Sequence, residues 1–277
     1  MYEMVLTEQR GRVGIVTRNN PDRLNALNDR LEAEMRQAIE AYNQDSSVGA
    51  IVLTGAGRAF CAGADIRGWD RGIQQREDEG RAMQVRGQEE NWVKFVQRSK
   101  PIICAINGPA IGAGLTITLP CDIRIASDAA RLSMRFVRVG VLPELASTRL
   151  LSEIVGLGQA LELTLSGRII DAQEAGRVGL VNRVVPAADL VEAAVETAAE
   201  IAFNPAESLA SIKRTVWANL LEPDLGAIMK REVVEFNTAM ERPYFKEAVK
   251  AFIEKRQPDF HKDAALAPRE TAVSSQP

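Results

Sequence analysis

Two glycine-containing turns constrain this chain more than any other feature of its sequence. The first is AGADI, at Ala62–Ile66, and the second is NGPAIGAG, at Asn107–Gly114. Apolar, largely β-branched runs precede them, at Ala50–Leu53 and at Ile102–Ile106. This succession predicts a strand, a tight turn and the start of a helix at both places. Two such turns can direct two backbone N–H groups at one point, which is the requirement for an oxyanion hole.

The composition predicts a soluble globular protein. The chain has 277 residues, of which 46% are hydrophobic and 26% charged, and this length allows one large core with an appended helical part. The net charge of −3 argues against a nucleic-acid surface. No apolar run reaches the length of about 18 residues that a membrane-spanning helix needs, and Met1–Arg10 lacks the pattern of a secretory signal. We therefore expect a cytoplasmic protein that binds neither membranes nor nucleic acid.

The few cysteine and histidine residues limit the chemistry. Cys61, Cys104 and Cys121 lack CxxC spacing, which favours reduced thiols over disulfides. Cys61 lies beside the first turn, where it is either a reactive thiol or a small buried apolar residue. The single histidine, His261, lies near the C-terminus, which disfavours a Ser-His-Asp or Cys-His arrangement and a zinc site. We predict that no metal is bound and that chemistry rests on carboxylates, hydroxyls and backbone dipoles.

Strand and helix patterns alternate along the first two thirds of the chain, and helices follow. The predicted strands are Val5–Arg10, Val13–Thr17, Ala50–Thr54, Pro101–Ile106, Ile123–Ala126, Arg131–Ser133 and Val181–Val185. The predicted helices are Asn28–Asn43, a segment through Trp92 and Val96, Gly114–Leu119, Ser147–Val155, Gly158–Ser166, Asp171–Ala175, Ala188–Phe203, Ala206–Leu220, Leu225–Thr238 and Tyr244–Lys255. This order is typical of an α/β core with a helical C-terminal part.

The order and context of the two turns resemble the crotonase superfamily, also called the enoyl-CoA hydratase/isomerase family. The resemblance runs from about Met4 to His261. It implies an α/β fold in which residues 1–200 form a spiral of ββα units with the CoA site, and residues 201–261 form a helical region for trimerisation. We expect residues 262–277 to be a disordered tail. By resemblance, the protein is a homotrimer or a dimer of trimers.

The resemblance also assigns the backbone donors and the CoA contacts. Ala64 and Ala113 match the two N–H donors that hold the thioester oxygen of an acyl-CoA substrate, and the helix that starts near Gly114 points its positive end at the same oxygen. CoA enters as part of the substrate, and no other cofactor is implied. The residues in matching CoA-binding segments are Arg23, Ala26, Ala62, Asp65, Ile66, Phe252 and Lys255. Among them, Phe252 matches an aromatic contact and Lys255 a cation that faces phosphate.

The chain departs from the hydratases of this family at both of their water-activating glutamates. Thr116 stands at the first position, two residues after GAG, and Phe136 stands at the second. Neither side chain can do the paired acid–base work of adding water. We expect Thr116, Phe136, Gly112 and Leu142 to line the acyl pocket instead, and Phe136 to exclude water from it.

A different carboxylate, Glu144, follows in LPELAST. Its position resembles that of the lone glutamate in peroxisomal-type Δ3,Δ2-enoyl-CoA isomerases. One base is enough for that reaction, because it removes a proton at C2 and returns it at C4. We expect burial among Val139, Val141, Leu142 and Leu145 to raise the pKa of Glu144.

Three functions stay open from the sequence. The first is an enoyl-CoA isomerase with Glu144 as its base, and the second is a hydratase or CoA-ester hydrolase in which Glu144 activates water. The third is a non-catalytic acyl-CoA binder, for which Thr116 and Phe136 would mark lost chemistry. Glu144 could also be a residue that interacts with the dipole of the helix beginning at Ser147. The segment Gly68–Trp92, which includes Glu89 and Glu90, is expected to shape part of the acyl pocket.

Overall fold

The computed structural model describes residues 2–64 and 91–261 and divides the chain into two compact units between Ala199 and Glu200. Within these ranges the strands are β1 (Val5–Arg10), β2 (Val13–Arg18), β3 (Ala50–Gly55), β4 (Ile102–Ile106), β5 (Ala110–Ile111), β6 (Ile123–Ser127), β7 (Arg131–Ser133), β8 (Ile170–Asp171) and β9 (Arg183–Val185). The helices are α1 (Asp29–Gln44), α2 (Trp92–Arg98), α3 (Ala113–Thr116), α4 (Ser147–Val155), α5 (Leu157–Ser166), α6 (Ala172–Arg177), α7 (Leu190–Ala202), α8 (Ala206–Asn219), α9 (Leu225–Met240) and α10 (Pro243–Ile253).

The larger sheet of the first unit has the strand order β1-β2-β3-β4-β6-β9. β1 and β2 form the predicted antiparallel hairpin, and Gly11 takes a left-handed φ of 56° in its turn. The remaining neighbours pair in parallel. All five residues of β4 are buried, as expected where a parallel sheet is covered on both faces. The alternation of strands and helices confirms the predicted α/β class.

A smaller sheet, with the order β5-β7-β8, lies beside the second glycine turn. β5 pairs in parallel with β7, and β8 pairs with β7 in the antiparallel sense. β5 and β8 contain two residues each and were not predicted, because so short a segment shows no period in its sequence.

Helix α1 follows its sequence signals closely. The Asn28 side chain accepts a hydrogen bond from the Leu31 N–H at 3.0 Å and caps the helix, as predicted. Its buried face, spaced at helical intervals, consists of Leu31, Met35, Ala38 and Ile39.

The helix after the second turn differs from its prediction. We predicted Gly114–Leu119, whereas α3 begins at Ala113 and is one turn long. Beyond Thr116 the backbone continues with bonds between residues three apart, from Thr118 N–H to the Leu115 carbonyl and from Leu119 N–H to the Thr116 carbonyl. Pro120 explains the early end, because it supplies no N–H and disfavours helical geometry before it. The strand predicted at Val181–Val185 is also shorter, at Arg183–Val185.

The second unit is helical in its described part, which ends at His261. It contains the last three residues of α7 and all of α8, α9 and α10. Large apolar side chains are exposed along α8 and α9, namely Ile212, Val216, Leu225, Met229, Val233, Val234 and Phe236. No helix in the described part of the chain is long and apolar enough to cross a membrane.

We predict that Gly114→Ala strongly destabilises the fold. A Cβ atom on Gly114 would lie 2.1 Å from the carbonyl oxygen of Cys61, so the two turns would have to separate. We expect a loss of about 3 kcal/mol in the free energy of unfolding, measured by urea denaturation. The matched control is Gly158→Ala in α5, where a Cβ meets nothing within 4 Å. This control should gain about 0.5–1 kcal/mol, because alanine favours a helix over glycine. Equal stabilities of the two variants would contradict the close approach.

Candidate active site

The first glycine turn is held from two sides by backbone hydrogen bonds. On one side Cys61 N–H donates to the Pro109 carbonyl and Ile111 N–H donates to the Cys61 carbonyl, both at 3.0 Å. On the other side Leu27 N–H donates to the Gly63 carbonyl at 2.8 Å. Gly63 has φ 98°, and a Cβ there would lie 2.7 Å from the Ile111 carbonyl oxygen. Only glycine meets both requirements at this position.

The second glycine turn places the Ala113 N–H beside the first glycine turn. Gly112 has φ 54° and donates its N–H to the Ser133 carbonyl at 2.8 Å. The Gly112 carbonyl accepts from Leu115 N–H at 2.9 Å and Thr116 N–H at 3.0 Å, so Ala113 is the first residue of α3. A Cβ on Gly63 would lie 3.9 Å from the Ala113 nitrogen, which shows how closely the turns approach.

The two predicted donors have no backbone acceptor. Within residues 2–64 and 91–261, neither Ala64 N–H nor Ala113 N–H donates to a backbone carbonyl. Both residues line one cavity of about 460 Å³. Two unsatisfied N–H groups at one cavity form the arrangement that binds an oxyanion.

Most of the residues predicted for the catalytic site and the acyl pocket line this cavity. Its lining combines both turns with the 3-10 turn Arg135–Val139 and the segment after it. The lining residues are Ala62, Gly63, Ala64, Ile111, Gly112, Ala113, Arg135, Phe136, Val139, Val141, Leu142 and Glu144. Phe136 is buried, but Leu142 is 78% exposed, and Val139 and Val141 are also exposed in this chain. Val139, Val141 and Leu142 therefore line the cavity together with Glu144, but they do not enclose it as expected, and Leu145 is not among the lining residues.

Glu144 is anchored to the helix after the second turn. The hydroxyl of Thr116, which is fully buried, donates to Oε1 of Glu144 at 2.6 Å. Glu144 as a whole residue is exposed, but it lines the cavity and its Oε1 is held by the buried Thr116 hydroxyl. Burial raises the pKa of Glu144 above its usual value, the Thr116 hydrogen bond opposes this, and the negative charge of Glu32 adds to the rise.

The turn after Glu144 is strained. Leu145 and Ala146 have φ values of 57° and 55°, a left-handed pair without glycine or asparagine. Ser147 N–H donates to the Glu144 carbonyl at 3.1 Å and closes the turn before α4. No sequence signal pointed to this geometry. The turn directs the Glu144 side chain to Thr116, so the alternative role of Glu144 at the start of α4 loses support.

The predicted CoA-binding residues fall into three groups. Arg23 and Ala26 belong to the loop beside the first turn, where Ala62 N–H donates to the Leu24 carbonyl at 3.0 Å. Phe252 and Lys255 lie at the end of α10 in the second unit, and Phe252 is 85% exposed. The remaining predicted residues lie outside the described ranges, namely Asp65 and Ile66, together with Glu89, Glu90 and the rest of residues 67–90.

The sequence analysis missed two residues at the site. Arg135 lines the cavity, yet one arginine between Met134 and Phe136 carries no signal of its own. Asn25 is fully buried and its side-chain amide donates to the Ala56 and Ala59 carbonyls at 2.9 and 2.7 Å. Asn25 has a left-handed φ of 53° and follows Leu24, which is also left-handed. Asparagine after the N-N-P stretch is a turn signal from which Asn25 could have been predicted.

In the described residues, no three His, Cys, Asp or Glu side chains are grouped to hold a metal.

Comparisons with known proteins identify the family. Residues 8–263 match the sequence model of the enoyl-CoA hydratase/isomerase family. The chain is 36% identical to the mitochondrial enoyl-CoA hydratase of Pongo abelii, over 94% of this chain and 88% of that protein. It is 37% identical to the short-chain-enoyl-CoA hydratase of Clostridium acetobutylicum, over 91% of this chain and 95% of that protein.

A solved structure agrees with these relatives. The crystal structure of enoyl-CoA hydratase subunit I from Geobacillus kaustophilus HTA426 superimposes with a TM-score of 0.81 at 34% identity, over 95% of this chain and 99% of that one. The fold and cavity define an acyl-CoA enzyme of the crotonase superfamily. The chain belongs to the enoyl-CoA hydratase/isomerase family, which confirms the resemblance, whereas the isomerase branch stays a prediction.

We predict that Thr116→Val raises the pKa of Glu144 further. The variant keeps the size of the side chain but removes the donor that favours the charged carboxylate. A 13C titration of the Glu144 carboxyl, assigned with Glu144→Gln, should move to higher pH. Thr118→Val is the matched control, because Thr118 is equally buried but its hydroxyl donates to the Leu115 carbonyl. A titration that is the same in Thr116→Val and the wild type would contradict the hydrogen bond.

Proposed function

We propose that the protein transfers protons to and from an enoyl-CoA thioester, with Glu144 as the single carboxylate. The observation that carries this proposal is that Glu144, Ala64 and Ala113 line one cavity. The two N–H groups would hold the thioester oxygen while negative charge develops on it. Each such donor is worth roughly 2.7–4 kcal/mol of barrier in a known mutational case.

The geometry favours double-bond isomerisation as the reaction. Glu144 takes a proton from C2 of a 3-enoyl thioester, and the electron pair of that C–H bond moves into a dienolate whose charge rests on the thioester oxygen. The same carboxyl then returns the proton at C4, which leaves the double bond between C2 and C3. A carboxylate with a raised pKa suits both steps, because it must accept a proton and give it back.

The surroundings of Glu144 support this choice. Thr116 fixes one carboxylate oxygen, and Phe136 fills the position where the hydratases have a second carboxylate. Among the described residues that line the cavity, Glu144 is the only carboxylate. One base can serve an isomerase, whereas hydration is usually assisted by two groups.

Hydration is the second candidate, and the names of the relatives favour it over isomerisation. The relatives at 36% and 37% identity are both called enoyl-CoA hydratases. For this reaction Glu144 would take a proton from water as the water adds at C3 of a 2-enoyl thioester, and a proton would be delivered to C2. Thr116 would then orient the carboxylate toward the water.

We also propose how the substrate is held and how the chain associates. Arg23, Ala26 and Ala62 would contact the CoA portion, with Phe252 and Lys255 as further contacts. The exposed apolar side chains of α8 and α9 suit an interface between copies of the chain in a trimer or a dimer of trimers.

A turnover assay with mass detection distinguishes the two reactions. The purified protein is incubated in deuterated water with 3-hexenoyl-CoA and, separately, with 2-hexenoyl-CoA. A shifted double bond with no added water supports isomerisation, and the extent of deuterium incorporation shows how far the proton on the carboxyl exchanges with solvent before it is returned at C4. Addition of water to the 2-enoyl substrate supports hydration and contradicts our first choice. Turnover of neither substrate, on this and a wider panel of enoyl thioesters, would contradict both and leave a binding protein.

We predict that Glu144→Gln abolishes turnover and stabilises the protein at neutral pH. The folded-state pKa of Glu144 is raised, so its contribution to stability is present at low pH and is lost as the pH rises through that pKa. Glutamine keeps the shape without the charge. The stability gain, measured by thermal unfolding, should therefore be largest at pH values above the folded-state pKa of Glu144 and vanish in acid.

The control for this variant is Glu153→Gln in α4, where the glutamate pairs with Arg149 on the surface. It should keep full turnover and show no pH-dependent gain in stability, because exposed ion pairs contribute little. Retention of turnover in Glu144→Gln would disprove the role of Glu144 as the base.

A further inference from the structure

A buried arginine lies behind the first glycine turn and has no part in the chemistry proposed so far. Arg18, the last residue of β2, has a relative exposure of 0%. Its Nη2 donates to the Asn25 carbonyl at 2.9 Å and to the Cys61 sulfur at 3.5 Å, and Nη1 contacts the Met35 sulfur at 3.3 Å. Within the part of the chain that the structure describes, no carboxylate pairs with it and its Nε has no hydrogen-bond partner.

A buried cation of this kind lowers the stability of the folded protein. Burial of a charge without a counter-charge costs several kcal/mol unless the charge is compensated, and Arg18 is compensated by one carbonyl and two sulfur atoms. An apolar side chain of similar length would fill the same space at the end of β2 without this cost. The presence of a charged residue at this position therefore suggests that the charge has a role beyond packing.

A chain of hydrogen bonds connects Arg18 to the peptide that carries the Ala64 N–H. The Cys61 thiol accepts from Arg18 and donates to the Gly63 carbonyl at 3.9 Å. The Gly63 carbonyl and the Ala64 N–H belong to the same peptide group. Hydrogen bonds that a carbonyl accepts polarise its peptide and strengthen the N–H on the other side. Leu27 N–H donates to the same Gly63 carbonyl at 2.8 Å and acts in the same direction.

We propose that Arg18 is a positioning residue that polarises the Gly63–Ala64 peptide through the Cys61 thiol. The Ala64 N–H thereby becomes a stronger donor to the enolate oxygen. This inference rests on the proposed function, because it needs Ala64 to be an oxyanion donor. Removal of one charge that polarises an oxyanion donor is expected to lower the rate roughly ten-fold, because charge interactions inside a protein are typically of this order.

The second donor is polarised by a different route. The carbonyl of the Gly112–Ala113 peptide accepts from Leu115 and Thr116 N–H groups, both from the turn of α3 itself. The Gly63 carbonyl instead accepts from Leu27 N–H and from the Cys61 thiol, which come from other segments of the chain.

The test measures polarisation of a bound carbonyl in the full-length protein. The probe is 4-dimethylaminocinnamoyl-CoA, whose absorption band moves to longer wavelength when its thioester carbonyl is polarised. We expect a shift in the wild type, a smaller one in Arg18→Met and Cys61→Ala, and partial recovery in Arg18→Lys. On a turned-over substrate, kcat should fall about ten-fold in Arg18→Met and about two- to five-fold in Cys61→Ala, with KM nearly unchanged.

Arg124→Met is the matched control for loss of a buried arginine. Arg124 lies in β6, is 7% exposed, and donates to the Leu180 and Cys121 carbonyls at 2.9 Å, away from the first turn. It should lose stability in urea denaturation but keep the band position and kcat. The same behaviour in Arg18→Met would show that Arg18 only fastens the loop at Asn25, and would overturn the proposal.

The remaining outcomes are also decisive. If Arg18→Met does not fold, Cys61→Ala carries the test, and a wild-type band position in that variant overturns the path through the thiol. Absence of any shift in the wild type overturns the oxyanion site itself, and with it the proposed function. A wild-type shift that both Arg18→Met and Cys61→Ala reduce supports the proposal, whichever reaction the protein catalyses.

Discussion

The backbone ladder between Cys61 and the segment Pro109–Ile111 holds the whole site together. Two hydrogen bonds at 3.0 Å join the turns, and Gly114 fits against the Cys61 carbonyl, where no side chain would. Because the turns end two neighbouring parallel strands, β3 and β4, the sheet fixes the direction of both. Backbone hydrogen bonds therefore hold the peptides of Ala64 and Ala113 in place before any substrate binds, which is how a preorganised site avoids the cost of reorientation.

The sequence predicted the features that depend on local chemistry. These features depend on a residue type with a strong local preference, such as glycine in a left-handed turn or asparagine at a helix start. They are the hairpin at Gly11, the cap at Asn28 and the two glycine turns. Features that depend on distant contacts were missed. The one-turn length of α3, the two-residue strand β5 and the partners of Arg18 are set by residues far away in the chain, and the left-handed pair at Leu145–Ala146 lacks the usual glycine. Thr116 was predicted to line the acyl pocket, but it is fully buried and is not among the residues that line the cavity, and instead it donates a hydrogen bond to Glu144.

Glu144 illustrates a conflict between stability and reactivity. The cavity wall that raises its pKa also makes its charged form unfavourable in the folded state, and the Leu145–Ala146 turn adds backbone strain of about 1–3 kcal/mol per residue. Thr116 offsets part of both effects with one hydrogen bond. A carboxylate whose pKa is raised suits the role of general base that we propose for Glu144.

The hydrogen bond from Leu27 N–H to the Gly63 carbonyl joins the loop that precedes α1 to the first glycine turn. It makes the loop proposed to contact CoA and the peptide that carries the Ala64 N–H parts of one hydrogen-bonded unit. Contacts made far from the reacting carbons would therefore bear on the geometry at those carbons. A substrate shortened to its pantetheine thioester would lose part of these contacts, and with them maximal velocity as well as affinity.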